Sequence, residues 1–320
     1  MIDRYPLAHL PTPIEPLPGL THYLNNAQIF IKRDDLTGLG IGGNKTRKLE
    51  YLVADALKHG CKTLMSTGAV QSNHCRQVAA AAAKAGLECM LVLAGDEPAE
   101  RQGNLLLDYL SGANTIFVKR ADRDPELQKA FAEAQKAGKR PYLIPYGGSS
   151  AIGAIGYLEA MHELKDQGFD PDWILFASSS GGTHAGMALG ARLYGLKAKV
   201  LGIGIDNLNL NFRATIANLA NETASLLGLD IRRKTADILL NEDYCQSGYG
   251  KLQPAEIETI KLFASRDGIL LDPVYTGRAA AGMLDLIRKG YFTPEEKILF
   301  WHTGGTPALF AEPYQALLGH

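Results

Sequence analysis

The feature that most constrains this chain is an alternation. Short β-branched and apolar runs are each followed by a longer segment with helical spacing, along nearly the whole length. The spacing predicts strands at Gln28–Lys32, Thr63–Ser66, Met90–Ala94, Thr115–Lys119, Tyr142–Pro145, Trp173–Ala177, Val200–Ile205, Ile269–Leu271 and Lys297–His302. It predicts helices over Thr46–His59, Asn73–Ala85, Gln102–Leu110, Pro125–Ala137, Ala154–Gln167, Thr183–Leu193, Asn209–Leu227, Ala255–Ser265 and Gly277–Arg288. A helix between two strands is the usual crossover of a parallel pair, so the expected class is α/β, parallel sheets flanked by helices. Strand twist makes those crossovers right-handed.

Single cores stop growing at about 250–300 residues, and this chain has 320. Two lobes are expected. No Pro/Ser-rich linker separates them, so the chain should cross between lobes near Leu49 and Gly156. Residues 1–48 and 157–320 then form a large domain, with 49–156 a smaller one inserted in it. No fixed-period repeat points to a solenoid.

Composition excludes several classes of function. With 33 basic and 34 acidic residues, no global field draws nucleic acid or an anionic membrane to the surface. Apolar stretches such as Val78–Ala83 are far too short to span a bilayer. The first residues, MIDRYPLAHLPTP, lack the apolar core of a signal peptide. A cytoplasmic protein is expected. Cys61, Cys75, Cys89 and Cys245 form no CxxC pair, so no metal site is expected and the thiols are read as free. The 34 glycines cluster at 38–43, 147–156, 181–186 and 304–305, which reads as a set of specific turns.

Four segments have the residue types that chemistry needs. Gly42-Gly43-Asn44-Lys45 delivers a lysine to a helix start. The positive end of the helix dipole disfavours an ammonium there and favours a neutral, nucleophilic amine. Taken alone, it is also an ordinary charged helix start. It is not a phosphate-binding GxxxxGK[ST] loop, because Asn44 stands where that motif has glycine. Gln71-Ser72-Asn73-His74 follows a strand and opens a helix; it reads equally as a plain capped start and as N–H groups placed to hold a carboxylate.

The run Ser178-Ser179-Ser180-Gly181-Gly182-Thr183 is a stronger local signal. Small residues let the backbone approach a phosphate, and hydroxyls and helix-start N–H groups bind its oxygens. The fourth segment is a pair, Asp272-Pro273-Val274-Tyr275-Thr276-Gly277 and His302-Thr303-Gly304-Gly305, each placed at a predicted strand end, where ligands of open α/β sheets lie. A lysine after glycines, a phosphate loop and hydroxyl-lined strand ends together suggest a phosphorylated cofactor held by a Schiff-base lysine.

The chain resembles the 1-aminocyclopropane-1-carboxylate deaminase/D-cysteine desulfhydrase family, of pyridoxal 5′-phosphate (PLP) fold type II, the tryptophan-synthase-β-like class. The likeness runs through GGNKTRKLEYL, GAVQSNHCRQ, IPYGGSSAIGAIGY, SSGGTHAGM, Ser247-Gly248-Tyr249-Gly250, LLDPVYTG and WHTGGTPALF. It implies Lys45 as the Schiff-base lysine and Asn73 as partner of the PLP phenolic oxygen. Ser72 would lie beside the substrate carboxylate and amino group, with Gln71 and His74 near it. Ser179, Ser180, Gly181, Gly182 and Thr183 would hold the phosphate. Tyr249 and Tyr275 would flank the substrate.

Thr276 and Thr303 stand where the deaminase branch has Glu and Leu, so the resemblance places the chain on the desulfhydrase branch. It implies β-elimination of D-cysteine to pyruvate, ammonia and hydrogen sulfide by a homodimer. A cysteate sulfo-lyase, a cyclopropane deaminase and a non-catalytic PLP carrier stay open.

Overall fold

The computed structural model describes residues 2–24, 27–206 and 210–319. The strands are β1 (Ile14–Pro16), β2 (Gln28–Arg33), β3 (Thr63–Ala69), β4 (Glu88–Ala94), β5 (Asn114–Val118), β6 (Pro141–Leu143), β7 (Trp173–Ser178), β8 (Lys199–Gly204), β9 (Leu239–Asn241) and β10 (Lys297–His302). The helices are α1 (Pro18–Tyr23), α2 (Lys45–Lys58), α3 (Asn73–Ala85), α4 (Gly103–Leu110), α5 (Arg123–Lys136), α6 (Ala151–Asp166), α7 (Gly182–Leu193), α8 (Phe212–Leu226), α9 (Pro254–Asp267), α10 (Thr276–Arg288) and α11 (Tyr314–Leu318). Asn209, the first residue of one expected helix, lies outside the described residues; the helix itself runs from Phe212.

Two sheets result. One has the order β1-β2-β10-β7-β8-β9 and the other β5-β4-β3-β6. All pairings are parallel except β1 with β2, a short antiparallel edge. β7, buried along its length, reads as an unbroken apolar run because helices cover both faces of its sheet. The local stops follow side-chain rules. α3 begins where Ser72 Oγ accepts from Cys75 N and ends at Gly86 with φ 69°.

Two sequence expectations need correction. Ile269–Leu271 is not a strand. Ile269 and Leu271 are buried, which produces the alternating pattern, but the Leu270 carbonyl accepts from His302 Nε2 and no strand among the described residues takes up the segment. Nor are all the glycine clusters turns: Gly153, Gly156 and Gly186 lie inside helices. A Cβ at Gly156 would stand 2.3 Å from the Arg47 carbonyl oxygen, and one at Gly186 2.3 Å from that of Ala154. These glycines let α2, α6 and α7 pack backbone to backbone.

The start of α2 is also pinned by a buried ionic cluster. Asp34, just beyond β2, accepts from Thr12 Oγ1, Tyr157 Oη, Trp301 Nε1 and two nitrogens of Arg47 at 2.5–2.9 Å. Arg47 also bonds Glu163 of α6 at 2.9 Å. Burial alone would raise the Asp34 carboxyl, but Arg47, Lys32 and the Tyr157 bond outweigh it and hold it below the usual carboxylate range. Breaking such a pair from one side leaves a charge unmatched in a dry interior.

Candidate active site

The carboxyl ends of β3, β7 and β10 open onto one cleft with about 600 Å³ of empty space. It is lined by Asn44, Lys45, residues 72–74, Tyr146, Gly147, residues 177–181, Thr183, His184, Tyr275, Thr303 and Gly304. Three of the segments singled out in the sequence, together with both halves of the fourth pair, are therefore neighbours in space.

Lys45 is the first residue of α2, and its Nζ donates to Asn44 Oδ1 at 2.9 Å. Its ammonium is lowered to about 8. The main cause is desolvation; Asp272 pulls it back up and Arg76 pushes it further down. Asn44 ties this lysine to the serine-rich loop, because its Nδ2 donates to Thr183 Oγ1 at 3.1 Å.

That loop turns through Gly181, whose φ of 87° suits glycine, and α7 begins at Gly182. Ser179, Ser180, Gly181 and Thr183 line the cleft. Gly182 does not: its N–H donates to Ser149 Oγ at 3.0 Å, and Ser149 in turn donates to Ser180 Oγ at 2.8 Å. Behind the loop lies Lys48, fully buried, donating to the Gly147 carbonyl at 3.1 Å. Desolvation, with Lys45 nearby, holds its amine well below the usual lysine value.

On the opposite wall, Ser72 caps α3 and keeps its own hydroxyl proton to give. Asn73 Oδ1 accepts from Asn104 Nδ2 at 2.8 Å. His74 has a defined tautomer. Ser66 Oγ donates to the Ile144 carbonyl, so its lone pair receives His74 Nε2–H at 2.8 Å. Nδ1 is left as a buried acceptor without a partner among the described residues, and burial beside Lys45 and Lys48 keeps the ring neutral. Gln71 does not line the cleft. Its amide is spent on the start of α4, donating to the Gln102 carbonyl and accepting from Asn104 N.

Tyr275 lines the cleft and shares a 2.9 Å hydroxyl bond with Tyr249 just behind it. Burial raises both phenols, so both are protonated donors at neutral pH. Thr303 lines the cleft, and its hydroxyl makes no hydrogen bond to a described residue. Thr276 is placed differently from expectation: its Oγ1 accepts from Asp272 N and donates to Asp272 Oδ1, both at 2.7 Å, and it is absent from the cleft wall.

Sequence reasoning did not single out Asn44, Lys48, Asn104, Tyr146, Ser149 or His184. Lys48 had a signal, since residues three apart on a helix share a face with each other, here Lys45 and Lys48. Asn104 had none; it stands 31 residues from Asn73, in a helix whose sequence has no chemical motif.

The family model described as "Pyridoxal-phosphate dependent enzyme" matches residues 5–304. The chain is 44% identical to a D-cysteine desulfhydrase of Salmonella choleraesuis (strain SC-B67), over 97% of each chain. A solved structure described as an ACC deaminase homologue superposes with a TM-score of 0.90 at 41% identity, covering 99% of this chain and 95% of the other. A hydrogen sulfide-producing enzyme from Fusobacterium nucleatum, 16% identical with a TM-score of 0.67 over 94% of this chain and 97% of its own, shares the fold.

Proposed function

Because the chain belongs to the pyridoxal-phosphate-dependent enzyme family, we propose that it is a carbon–sulfur lyase converting D-cysteine and water to pyruvate, ammonia and hydrogen sulfide. The observation that carries this reading is the juxtaposition in one cleft of a lysine lowered to about 8 with the small-residue loop at the start of α7. The likeness to curated desulfhydrases supports the choice of substrate.

The residues fit the cofactor. Lys45 is the amine to hold it covalently. Ser179, Ser180, Gly181 and Thr183 cradle its phosphate, with Gly182 shaping the turn. Asn73 offers an N–H to its phenolic oxygen. Thr303 has a free hydroxyl for the ring nitrogen, whereas Thr276 is committed to Asp272. When bound, PLP supplies a covalent hold on the substrate's nitrogen and an electron sink for Cα.

The chain's own residues do the rest. The Ser72 hydroxyl and the N–H groups opening α3 hold the substrate carboxylate, with His74 alongside. Lys45 Nζ, once freed, takes the proton from Cα. The C–S bond breaks at Cβ, and the Tyr275–Tyr249 hydroxyl pair gives a proton to the departing sulfur. Released 2-aminoacrylate hydrolyses to pyruvate and ammonia, which accounts for the water.

A cyclopropane deaminase is the second reading, favoured by the 0.90 superposition on the ACC deaminase homologue. Pyruvate release from D-cysteine, L-cysteine, cysteate and D-serine, beside 2-oxobutanoate release from the cyclopropane amino acid, decides. D-cysteine should be the fastest. A preference for the cyclopropane overturns the reaction, and one for cysteate replaces sulfide with sulfite. We further propose a large domain of 1–48 and 157–320 around an inserted 49–156, a homodimer, and residence in the cytoplasm, all carried from the sequence. Among the described residues no helix is long and apolar enough to cross a membrane.

A further inference from the structure

Asn73 can donate to a ligand in the cleft only if its carboxamide points the right way, and a carboxamide has two near-equal orientations. Its neighbours remove that freedom. Arg76, fully buried, donates from Nε to Asn104 Oδ1 at 2.7 Å. Burial lowers its guanidinium to about 10, with Asp108 and Asp272 pulling it back up, so it is cationic and donor-only at neutral pH. On the other side of Asn104, Nδ2 faces the Gln71 backbone carbonyl at 3.1 Å, an acceptor-only group. Asn104 therefore has one possible orientation, and it presents N–H to Asn73. Asn73 must answer with Oδ1, at 2.8 Å. Its Nδ2 is left on the far side, near Gly305, where an added Cβ would stand only 2.7 Å away. Arg76 is itself held by the Gly40 and Gly42 carbonyls of the loop leading to Lys45.

We infer that Asn104 is a positioning residue, which passes the donor-only polarity of Arg76 through two carboxamides so that Asn73 presents N–H to the cofactor's phenolic oxygen. This rests on the reading that Asn73 meets that oxygen. An N–H there favours the phenolate over the phenol, so the chain of amides sets the proton affinity of the cofactor. It is a different role from packing α4 onto α3, which any well-fitting residue would serve.

The test is Asn104→Asp. A carboxylate still accepts from Arg76 but cannot donate to Asn73, so Asn73 turns its N–H inward and its carbonyl toward the phenolic oxygen. The visible band of the purified holoprotein, titrated against pH, should extend to higher pH, with the midpoint raised by about one unit or more. PLP should dissociate about ten- to a hundredfold more readily, the scale of one charge-assisted hydrogen bond. Asn104→Ala, which frees Asn73 without reversing it, should shift the midpoint less.

An Ala variant that shifts as far as the Asp variant overturns the polarity argument in favour of simple support. So does an unmoved midpoint in Asn104→Asp while Asn73→Asp moves it. If Asn104→Asp does not fold, an unmoved midpoint in Asn104→Ala overturns it as well. If Asn73→Asp also leaves the band unmoved, Asn73 does not meet the phenolic oxygen, and both readings fall.

Discussion

Gly156→Ala sets two effects of opposite sign against each other. Gly156 lies inside α6, and alanine in a helix interior is worth about 1 kcal/mol over glycine by backbone propensity. Propensity alone predicts a more stable protein. A Cβ at this position, however, stands 2.3 Å from the Arg47 carbonyl oxygen, 2.5 Å from its carbonyl carbon and 2.8 Å from Lys48 N. Non-bonded carbon and oxygen stay about 3.3 Å apart or more, so α6 and α2 must separate by roughly 1 Å. All three obstructing atoms are backbone, and no side chain can swing aside. Overpacking costs about 1–3 kcal/mol, and a rigid obstacle puts this site at the upper end. The net expectation is a loss of about 2 kcal/mol. The displaced stretch of backbone is that of Arg47 and Lys48, two and three residues after Lys45. A misplacement of about 1 Å at a reacting group can cost about a hundredfold in turnover. Denaturant unfolding of the purified holoprotein and pyruvate release from D-cysteine measure the two effects. A variant as stable as wild type with unchanged turnover would refute the close-packing argument.

Lys45→Ala should abolish the visible band and lower turnover by orders of magnitude, and the rate at which wild-type apoprotein takes PLP into a borohydride-trappable bond should rise as pH passes about 8; label mapped to Lys48 would overturn the assignment. Asp108 is buried with neither carboxylate oxygen hydrogen-bonded to a described residue, and desolvation, partly offset by Arg76, raises it to about 8. Against an unfolded value of about 3.9, the folded protein binds the extra proton between these limits, so this group makes stability fall as pH rises from about 4 to 8. Asp108→Asn should remove that slope, and melting curves of the two proteins that stay parallel across the window would show the carboxyl is not held protonated. Thr276→Glu, the residue of the deaminase branch, would bring a second carboxylate to the place where Thr276 Oγ1 now lies 2.7 Å from Asp272 Oδ1. It should destabilise the protein at neutral pH and less so in acid; a pH-independent effect would mean that the two carboxyls do not meet.

Local pattern was enough to predict most of the elements. Helix Asn73–Ala85 and strand Lys297–His302 match their expected bounds, because capping by Ser72 and the apolar run from Ile298 are signals carried by adjacent residues. The same holds for the serine-glycine loop, whose glycine at 181 is needed for a φ of 87°. Where the pattern misled, a partner distant in sequence decided. Ile269–Leu271 alternates like a strand, but only the neighbouring chain determines whether a ladder forms. Gly156 looks like a turn residue until α2 is laid against it.

The site divides in the same way. The sequence by itself offered the candidates for chemistry, since a lysine, a row of small hydroxyl residues and a helix-opening Ser-Asn pair are legible as residue types in local order. Tertiary structure alone decided their states. Lys45 is lowered to about 8 mainly because the fold excludes water from it, with Asp272 and Arg76 as the charges nearby. Asn73 Oδ1 is taken up by Asn104 Nδ2, and the Lys48 amine by the Gly147 carbonyl. Desolvation and hydrogen-bond direction depend on what surrounds a group in three dimensions, and those surroundings come from segments tens to hundreds of residues away.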